Sequence, residues 1–260
     1  FCLVFVIIYR KERSIKFSSP TISVFIILGC LLNFIAVVLY GVDYRRANES
    51  RMTVICKARV WIFSLGFTFC IGGLWVKVWT LYQILIERKI YKKRKMEYWM
   101  FGIVMVFLVI DVIYLTTWTA IDGLYRSFET VTDQPEYKCF QKLSGNPFVV
   151  TIWYIEICDC DNLTLWSAIF LIYKILLLFC GTYMSWKVRK VFTRKLVDAQ
   201  YCATLLLLAV PFVLLGLIFA YTTRLYPTPH YGLLGIIILI YTYIVLGFLY
   251  GHKVYYKFYK

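Results

Sequence analysis

The feature that most restricts the fold of this chain is a series of long stretches without a single charged residue. Residues 21–41 and 231–250 contain no Asp, Glu, Lys or Arg. Each reaches the ~20 residues that an α-helix needs to cross ~30 Å of hydrocarbon. Hydrophobic residues make up 61% of the chain and charged residues 17%, which excludes a water-soluble domain and a disordered chain. We therefore expect a protein that crosses a membrane several times.

Seven apolar runs divide the chain. The first, residues 1–9, is too short to span a bilayer. Because neither an initiator Met nor a basic segment precedes it, we interpret it as the end of a helix that continues upstream. The other six runs reach spanning length and cover residues 21–41, about 54–86, 98–121, 166–186, 201–223 and 231–250. The predicted fold is an all-α membrane protein, one bundle of seven transmembrane helices over residues 1–260 that is truncated within the first helix.

The positive charges between the runs predict the orientation of the bundle. Eighteen Lys and Arg lie in residues 10–19, 87–97, 187–200 and 251–260, whereas seven lie in the alternating segments 42–52, 122–165 and 223–231. Because Lys and Arg beside a span stay on the cytoplasmic side, the C-terminus is predicted inside and the upstream end outside. This distribution also accounts for the net charge of +15 without a nucleic-acid-binding face.

The outer loops carry features typical of the extracellular side. Glycosylation motifs begin at Asn48 and Asn162. None of the nine Cys lies in a predicted inner loop, and four lie at the outer side, where disulfides persist: Cys56, Cys139, Cys158 and Cys160. Four Cys allow three pairings. Cys158 and Cys160 are too close to be natural partners. We favour a bridge from Cys56 to Cys158, which would hold the outer loop over the bundle, and leave the pairing of the other two open. The alternative is four unpaired thiols.

The longest outer segment, residues 122–165, predicts a β-hairpin. Residues 137–143 and 148–157 flank the turn-rich sequence Ser-Gly-Asn-Pro at 144–147. β-Branched and aromatic residues on both sides of such a turn are typical of paired strands. We therefore expect a hairpin in the second extracellular loop, above the helical bundle.

Two charges are predicted at the inner membrane boundary. Lys77 lies 21 residues after Cys56, which at ~1.5 Å per residue places it ~31 Å lower. Asp198 begins the sixth span at the same level, so the two could form an ion pair that holds the inner ends of two helices together. The alternative is that Lys77 extends to lipid phosphate and Asp198 caps its helix.

Three further charges are predicted in the outer half of the membrane. Asp111 and Lys174 lie at depths that agree within about one helical turn, so they are candidates for a second ion pair. The competing interpretation directs Lys174 to an acidic group of the outer loop or to a lipid phosphate. Arg59, three residues after Cys56, is a candidate for an anion contact at the outer rim.

The remaining motifs argue against an enzyme, a transporter and a channel. The chain has two His, and it lacks the His-Glu-x-x-His and Gly-x-Ser-x-Gly motifs, so we expect neither a metal site nor catalysis. Internal repeats typical of transporters are absent, and no span shows the polar stripe of a channel. A basic run before the fourth span could contact a cytosolic partner or anionic lipid; it comprises Arg88, Lys89, Lys92, Lys93, Arg94 and Lys95.

Short motifs along the whole chain resemble the class C G-protein-coupled receptors, and among them the metabotropic GABA-B receptor subunits. The matching strings are Ser18-Ser19-Pro20, Gly41-Val42-Asp43, Cys56-Lys57-Ala58-Arg59-Val60-Trp61, Gly66-Phe67-Thr68, Lys77-Val78-Trp79, Ile110-Asp111-Val112, Ala120-Ile121-Asp122 and Tyr173-Lys174. Gly123 replaces the usual Pro of the family. The terminal Phe-x-Pro-Lys-x-Tyr motif reads Tyr250-Gly251-His252-Lys253-Val254-Tyr255 here, without its Pro.

The resemblance implies roles for several of these residues. It implies a disulfide from Cys158 to Cys56, an ion pair between Lys77 and Asp198, and a contribution of Leu196 to G-protein coupling. Lys92, Lys93 and Arg94 become candidates for contacts with the G protein. Relatives hold a phospholipid inside the bundle, and Arg59 is a candidate for its headgroup.

The resemblance also implies a function and partners. We expect a plasma-membrane receptor domain that relays ligand binding by an upstream extracellular domain to a heterotrimeric G protein of the inhibitory class, as one subunit of a heterodimer. The alternative is a partner subunit or orphan relative that shares the fold without coupling to a G protein. A transporter or channel is the distant third interpretation.

Overall fold

The computed structural model describes residues 2–8, 20–42, 49–85, 93–130, 154–189, 197–222, 227–251 and 254 of the chain. All structural statements below concern these residues. Some side chains within these ranges, among them those of Lys93, Arg94 and Asp198, are also outside the description.

Six helical segments are long and apolar enough to cross a membrane, and they coincide with the six long apolar runs. They cover Thr21–Tyr40, Arg51–Ile84, Met96–Ile121, Leu163–Val188, Gln200–Ala220 and Tyr231–Gly251. The first run forms the short helix α1, Cys2–Ile8, which packs against the next helix. Six spans of the predicted all-α bundle are therefore observed in the described part of the chain, and a seventh of full length is not among them.

The spans are built from the following elements, numbered in chain order. Helix α2 covers Pro20–Tyr40, and α3 covers Glu49–Phe67. A π-helical turn, π1, covers Thr68–Gly72, and α4 continues over Gly73–Leu85. Helix α5 covers Lys93–Ile121, α6 Leu163–Arg189, α7 Val197–Thr222 with Pro211 inside it, and α8 Pro227–Leu246. A second π-helical turn, π2, covers Gly247–Gly251.

The outward surfaces of these helices are apolar, which fits a lipid environment. Val38 is 69% exposed, Phe179 68% and Leu176 61%. Large exposed apolar side chains in such numbers are unfavourable in water, whereas in a bilayer they contact hydrocarbon. Hydropathy alone therefore does not select the inward face of each helix, and contacts between helices must do so.

Helix α2 packs directly on π1 through small residues. A Cβ atom on Gly29 would lie 2.5 Å from the backbone nitrogen of Cys70 and 2.9 Å from the carbonyl oxygen of Gly66. A Cβ atom on Gly73 would lie 2.6 Å from Cγ1 of Ile26. Glycine at these positions permits the close approach of two backbones that membrane helices use for packing.

The described core consists of two apolar clusters. The larger one joins all the spanning helices around buried residues such as Ile26, Leu74 and Leu206. The smaller one contains Met52, Cys56, Leu115, Trp118, Leu124 and Cys160. It lies beneath the strands, at the end of the bundle that the sequence predicts to be outside. The two ends are called outer and inner after this predicted orientation. The polar contacts described below lie beside these clusters.

Two antiparallel strands lie at the outer end, and one of them lies in a segment for which the sequence analysis predicts no strand. Strand β1, Tyr125–Thr130, pairs with β2, Tyr154–Asp159, with Tyr125 opposite Asp159 and Thr130 opposite Tyr154. The predicted strand 148–157 overlaps β2 only at its end, and the predicted strand 137–143 lies outside the described residues. The sequence analysis missed β1 because this short segment, Tyr-Arg-Ser-Phe-Glu-Thr, carries two charges and no aliphatic residue.

Candidate functional site

A disulfide ties the strands to the helical bundle at its outer end. Cys56 of α3 and Cys158 of β2 are bonded across 102 residues of sequence. Cys160, two residues further on, is buried and forms no disulfide with any described residue. Burial raises the pKa of the Cys160 thiol. Cys139 lies outside the described residues, so its pairing with Cys160 stays open.

Arg59 lies one turn below this disulfide and closes the end of helix α2. Its Nε atom donates to the carbonyl oxygen of Leu39 at 3.0 Å, and Nη2 donates to that of Val42 at 3.1 Å. The guanidinium lies 4.7 Å from the centre of the Tyr231 ring. Arg59 is only 3% exposed. Its two hydrogen bonds satisfy carbonyls that a helix end leaves without intrahelical donors. Its predicted contact with a lipid headgroup stays a prediction.

Asp122 joins the end of α5 to the start of α6. Its carboxylate accepts hydrogen bonds from the backbone nitrogen of Asp161 at 3.0 Å and from that of Asn162 at 2.8 Å. An acid at this place satisfies amide groups at a helix N-terminus and interacts favourably with the helix dipole. The side chain of Asn162, one of the two glycosylation candidates, is exposed, and Asn48 lies outside the described residues.

In the outer half of the bundle, Lys174 and Asp111 form a buried ion pair. The Nζ atom of Lys174 lies 2.7 Å from both carboxylate oxygens of Asp111. Lys174 is 5% exposed and Asp111 1%. Of the alternatives left open by the sequence, the structure shows the pair between the two spans. A charge at this depth is tolerated only with such a partner.

Two residues that the sequence analysis did not assign to this pair complete the network. The hydroxyl of Thr68, the first residue of π1, accepts a hydrogen bond from Lys174 at 2.6 Å and donates one to Asp111. Lys174 also lies 3.4 Å from the carbonyl oxygen of Ser64. Three spans therefore meet at one ammonium group, directly at a π-helical turn, and such turns recur at functional sites.

A cavity of about 250 Å³ lies beside this network. Most of its lining is apolar and comes from α3, π1 and helices α6 to α8, with Phe67, Phe212 and Ile238 as examples. Lys174 reaches its wall, as does Asn33, whose Oδ1 atom has no hydrogen-bond partner among the described residues. The lining suits an acyl chain or another apolar group.

A phospholipid that binds as predicted would have to reach both this cavity and Arg59. Arg59 is not among the lining residues. Tyr40 is, and its ring stacks on that of Tyr231 at 5.8 Å, the same ring that faces the guanidinium. The cavity and Arg59 are thus neighbours separated by two aromatic rings.

At the inner end of the bundle, Lys77 contacts helix α2. Its Nζ atom donates to Oγ of Ser23 at 2.8 Å, and Lys77 is 9% exposed. The hydroxyl of Tyr250 in π2 donates to the carbonyl oxygen of the same serine at 2.8 Å. Asp198 lies in the first turn of α7, and because its side chain is outside the description, the predicted ion pair with Lys77 stays a prediction.

The side chains of the four residues predicted to contact the G protein are outside the description. Lys92 and Leu196 lie outside the described residues, and Lys93 and Arg94 belong to the first turn of α5 without a described side chain. The sequence analysis also missed Ser23 and Tyr250, which take part in the contact of Lys77 with helix α2. Neither residue carries a charge that would single it out in an apolar run.

Comparison with known proteins places this arrangement in a family. The family described as "7 transmembrane sweet-taste receptor of 3 GCPR" matches residues 1–253. The chain is 28% identical to gamma-aminobutyric acid type B receptor subunit 2 of Rattus norvegicus over 237 residues, 91% of this chain and 24% of that protein. It is 28% identical to subunit 1 of the same organism over 200 residues, 76% of this chain and 20% of that protein.

A more distant organism contributes a shorter match. Metabotropic glutamate receptor-like protein J of Dictyostelium discoideum is 34% identical over 124 residues, 47% of this chain and 15% of that protein. The chain spans about a quarter or less of the length of each of these three relatives.

Proposed function

Because this chain belongs to the seven-transmembrane family of class C G-protein-coupled receptors, we propose that it relays a binding event outside the cell to a heterotrimeric G protein inside. The observation that carries this proposal is the family match over residues 1–253, nearly the whole chain. At the outer end, a movement of the upstream domain would reach the bundle through β2, which is bonded to α3. The inner end offers an output through the buried Lys77.

The proposed switch is the inner contact between Lys77 and helix α7. In the resting state, Asp198 would accept from Lys77 and hold the inner ends of α4 and α7 together. Loss of this ion pair would allow α7 to move, and a bundle with two discrete arrangements can carry a signal in this way. The hydrogen bond from Lys77 to Ser23 supports the proposal, because it shows that this ammonium points into the bundle.

The proposed partners follow from the relatives. Two of them are named as subunits of a gamma-aminobutyric acid type B receptor. We accordingly propose that this chain works with a second subunit and an upstream ligand-binding domain, and that GABA or a related small molecule is the ligand. The G protein would be of the inhibitory class and would contact Lys92, Lys93, Arg94 and Leu196.

The membrane supplies the remaining proposed partners. A phospholipid would place an acyl chain in the apolar cavity and its headgroup near Arg59. The receptor would lie in the plasma membrane with the upstream end outside, where Asn48 and Asn162 would be open to glycosylation. Six apolar helices of spanning length support a multi-pass protein.

The test of this function is basal nucleotide exchange in membranes that contain the full-length receptor, a candidate partner subunit and G protein. We expect Asp198→Ala to raise basal exchange several-fold because it removes the inner ion pair. Asp198→Glu, which keeps the carboxylate, is the matched control and should change it less. Unchanged or lower basal exchange with Asp198→Ala, at equal surface expression, would count against the switch.

The same exchange assay, with the inner loops of one subunit disabled, distinguishes a coupling subunit from a non-coupling one. A coupling subunit should promote exchange when its own inner loops are intact and those of its partner are disabled. If exchange depends only on the loops of the partner, the chain serves ligand binding or trafficking instead.

A further inference from the structure

The turn π2 buries a tyrosine against the residue that Lys77 contacts. Tyr250 is 1% exposed, and its hydroxyl donates to the backbone oxygen of Ser23 at 2.8 Å. The side-chain oxygen of the same serine accepts from Lys77 at 2.8 Å. Ser23 is itself 2% exposed. One serine of α2 is therefore held on two sides, by α4 through its hydroxyl and by the end of the last span through its carbonyl.

The same turn also contacts the helix that the proposed switch would move. The ring of Phe248 lies edge-on to that of Tyr201, with centroids 5.9 Å apart and an interplanar angle of 75°. Tyr201 belongs to α7 and lies three residues after Asp198. A displacement of the inner end of α7 would therefore reach π2 through these two rings.

We propose that Tyr250 is a positioning residue of the inner contact, which holds Ser23 where Lys77 can donate to it and links that contact to the position of α7. The inference rests on the proposed function, since it assumes that the Lys77 contact keeps the inner end of the bundle closed. It extends the contact from two spans to four, because α2 and the last span take part in it through Ser23 and π2.

The physical basis is the cost of polar groups in an apolar environment. A phenolic hydroxyl buried in the bundle needs an acceptor, and the carbonyl of Ser23 can serve because a carbonyl oxygen has two lone pairs. This hydrogen bond breaks only if π2 and α2 move apart. The bond therefore holds the backbone of α2 at Ser23 in the position from which the Ser23 hydroxyl accepts from Lys77.

The first experiment needs no G protein. Cys202 of α7 has no exposed surface, so its alkylation by N-ethylmaleimide in membranes of the full-length receptor reports opening of α7 from the bundle. We expect Tyr250→Phe to raise this rate roughly two- to tenfold, the factor by which loss of one buried hydrogen bond shifts an equilibrium. Mass spectrometry assigns the modified peptide, and Cys202→Ala identifies background signal.

A matched variant on the same span controls for the chemical change. Tyr243→Phe also removes one phenolic hydroxyl, but Tyr243 is 65% exposed on the outer surface of α8. We expect it to leave the alkylation rate of Cys202 unchanged. An equal rise with both variants would show that Tyr250 affects only the general stability of the helix and would overturn the inference.

A double-mutant comparison separates positioning from mere stabilisation. If Tyr250 acts through Ser23 on Lys77, Tyr250→Phe should raise the alkylation rate much less in a Lys77→Ala background, and likewise in a Ser23→Ala background. Fully additive effects would show that Tyr250 acts independently of Lys77, which contradicts the inference.

The outcomes also distinguish this inference from the proposed function. A rise of basal exchange with Asp198→Ala, together with unchanged Cys202 alkylation in Tyr250→Phe, would refute the inference and leave the function standing. A faster, Lys77-dependent alkylation in Tyr250→Phe without exchange on any G protein would refute the function and leave the role of Tyr250 in the contact standing.

Discussion

Among the residues that the structure describes, two lysines are buried, and their surroundings differ. Lys174, in the outer half, lies 2.7 Å from a fully buried carboxylate and also contacts the hydroxyl of Thr68. Lys77, at the inner end, is 9% exposed and donates to the hydroxyl of Ser23. The first ammonium lies between a carboxylate and the hydroxyl of π1 in the outer half of the bundle. The second lies near the predicted inner boundary and contacts helix α2.

This difference suggests that the two polar contacts of the third span, through Thr68 in the outer half and Lys77 at the inner end, have different roles. A buried ion pair is costly to break, because either partner left alone is an uncompensated charge in an apolar environment. The Lys174 network is therefore suited to hold α3, α5 and α6 together permanently. The Lys77 contact, close to the membrane boundary, is suited to open and close. Three substitutions would test this contrast.

The largest effect is expected from Asp111→Asn. It leaves the Lys174 ammonium without its carboxylate, and loss of one partner of a buried pair destabilises proteins by about 3–5 kcal/mol. We expect a sharp fall in thermal stability of the purified receptor and in surface expression. The matched control is the double variant Asp111→Leu with Lys174→Met, which removes both charges and should recover most of the stability. Wild-type stability of Asp111→Asn alone would show that the pair is dispensable.

An intermediate effect is expected from Thr68→Val. The substitution keeps the shape of the side chain and the ion pair, but it removes the hydroxyl that bridges Lys174 and Asp111. Loss of a hydrogen bond to a charged group costs about 1.5–3 kcal/mol, so the midpoint of thermal unfolding should fall by less than in Asp111→Asn. Thr68→Ser, which retains the hydroxyl, should stay closer to wild type. An equal loss in both would assign the effect to packing at π1.

The smallest effect on stability is expected from Lys77→Met. It removes a charge near the boundary, and the hydroxyl of Ser23 can turn to a carbonyl of its own helix. We expect a smaller change in the free energy of unfolding than in Thr68→Val, because the apolar Met side chain needs no polar partner and Ser23 keeps an acceptor in its own helix. Basal exchange on a G protein should nevertheless rise. A stability loss as large as that of Asp111→Asn would remove the contrast between the two lysines.

The Lys174 network shows how far the sequence could predict the site. The depths of Lys174 and Asp111 follow from their distances to the ends of the apolar runs, and this made their pairing one of two alternatives. The rotation of α5 and α6 about their axes decides between them, and a uniformly apolar helix carries no periodicity that reveals its inward face. Thr68 could not be assigned either, since a hydroxyl in a span usually bonds to its own helix.

The sequence did not predict strand β1 or the contact between Ser23 and Tyr250, and the reasons are related. Tyr125–Thr130 is six residues long and becomes a strand because β2 pairs with it, where the disulfide holds β2 against α3. Ser23 and Tyr250 are 227 residues apart in the chain. A contact of this kind has no local signal in the sequence.

The sequence by itself determined the membrane spans, their predicted orientation and the depth of each buried charge. These properties depend on the transfer of consecutive residues from water to hydrocarbon, which adds up along the chain. Only the tertiary structure decided that Lys174 pairs with Asp111 and Thr68, that α2 approaches π1 through Gly29, and that Ser23 joins Lys77 to Tyr250. These contacts depend on how separate helices rotate and pack against each other, because only packing brings polar groups of different helices within hydrogen-bonding distance.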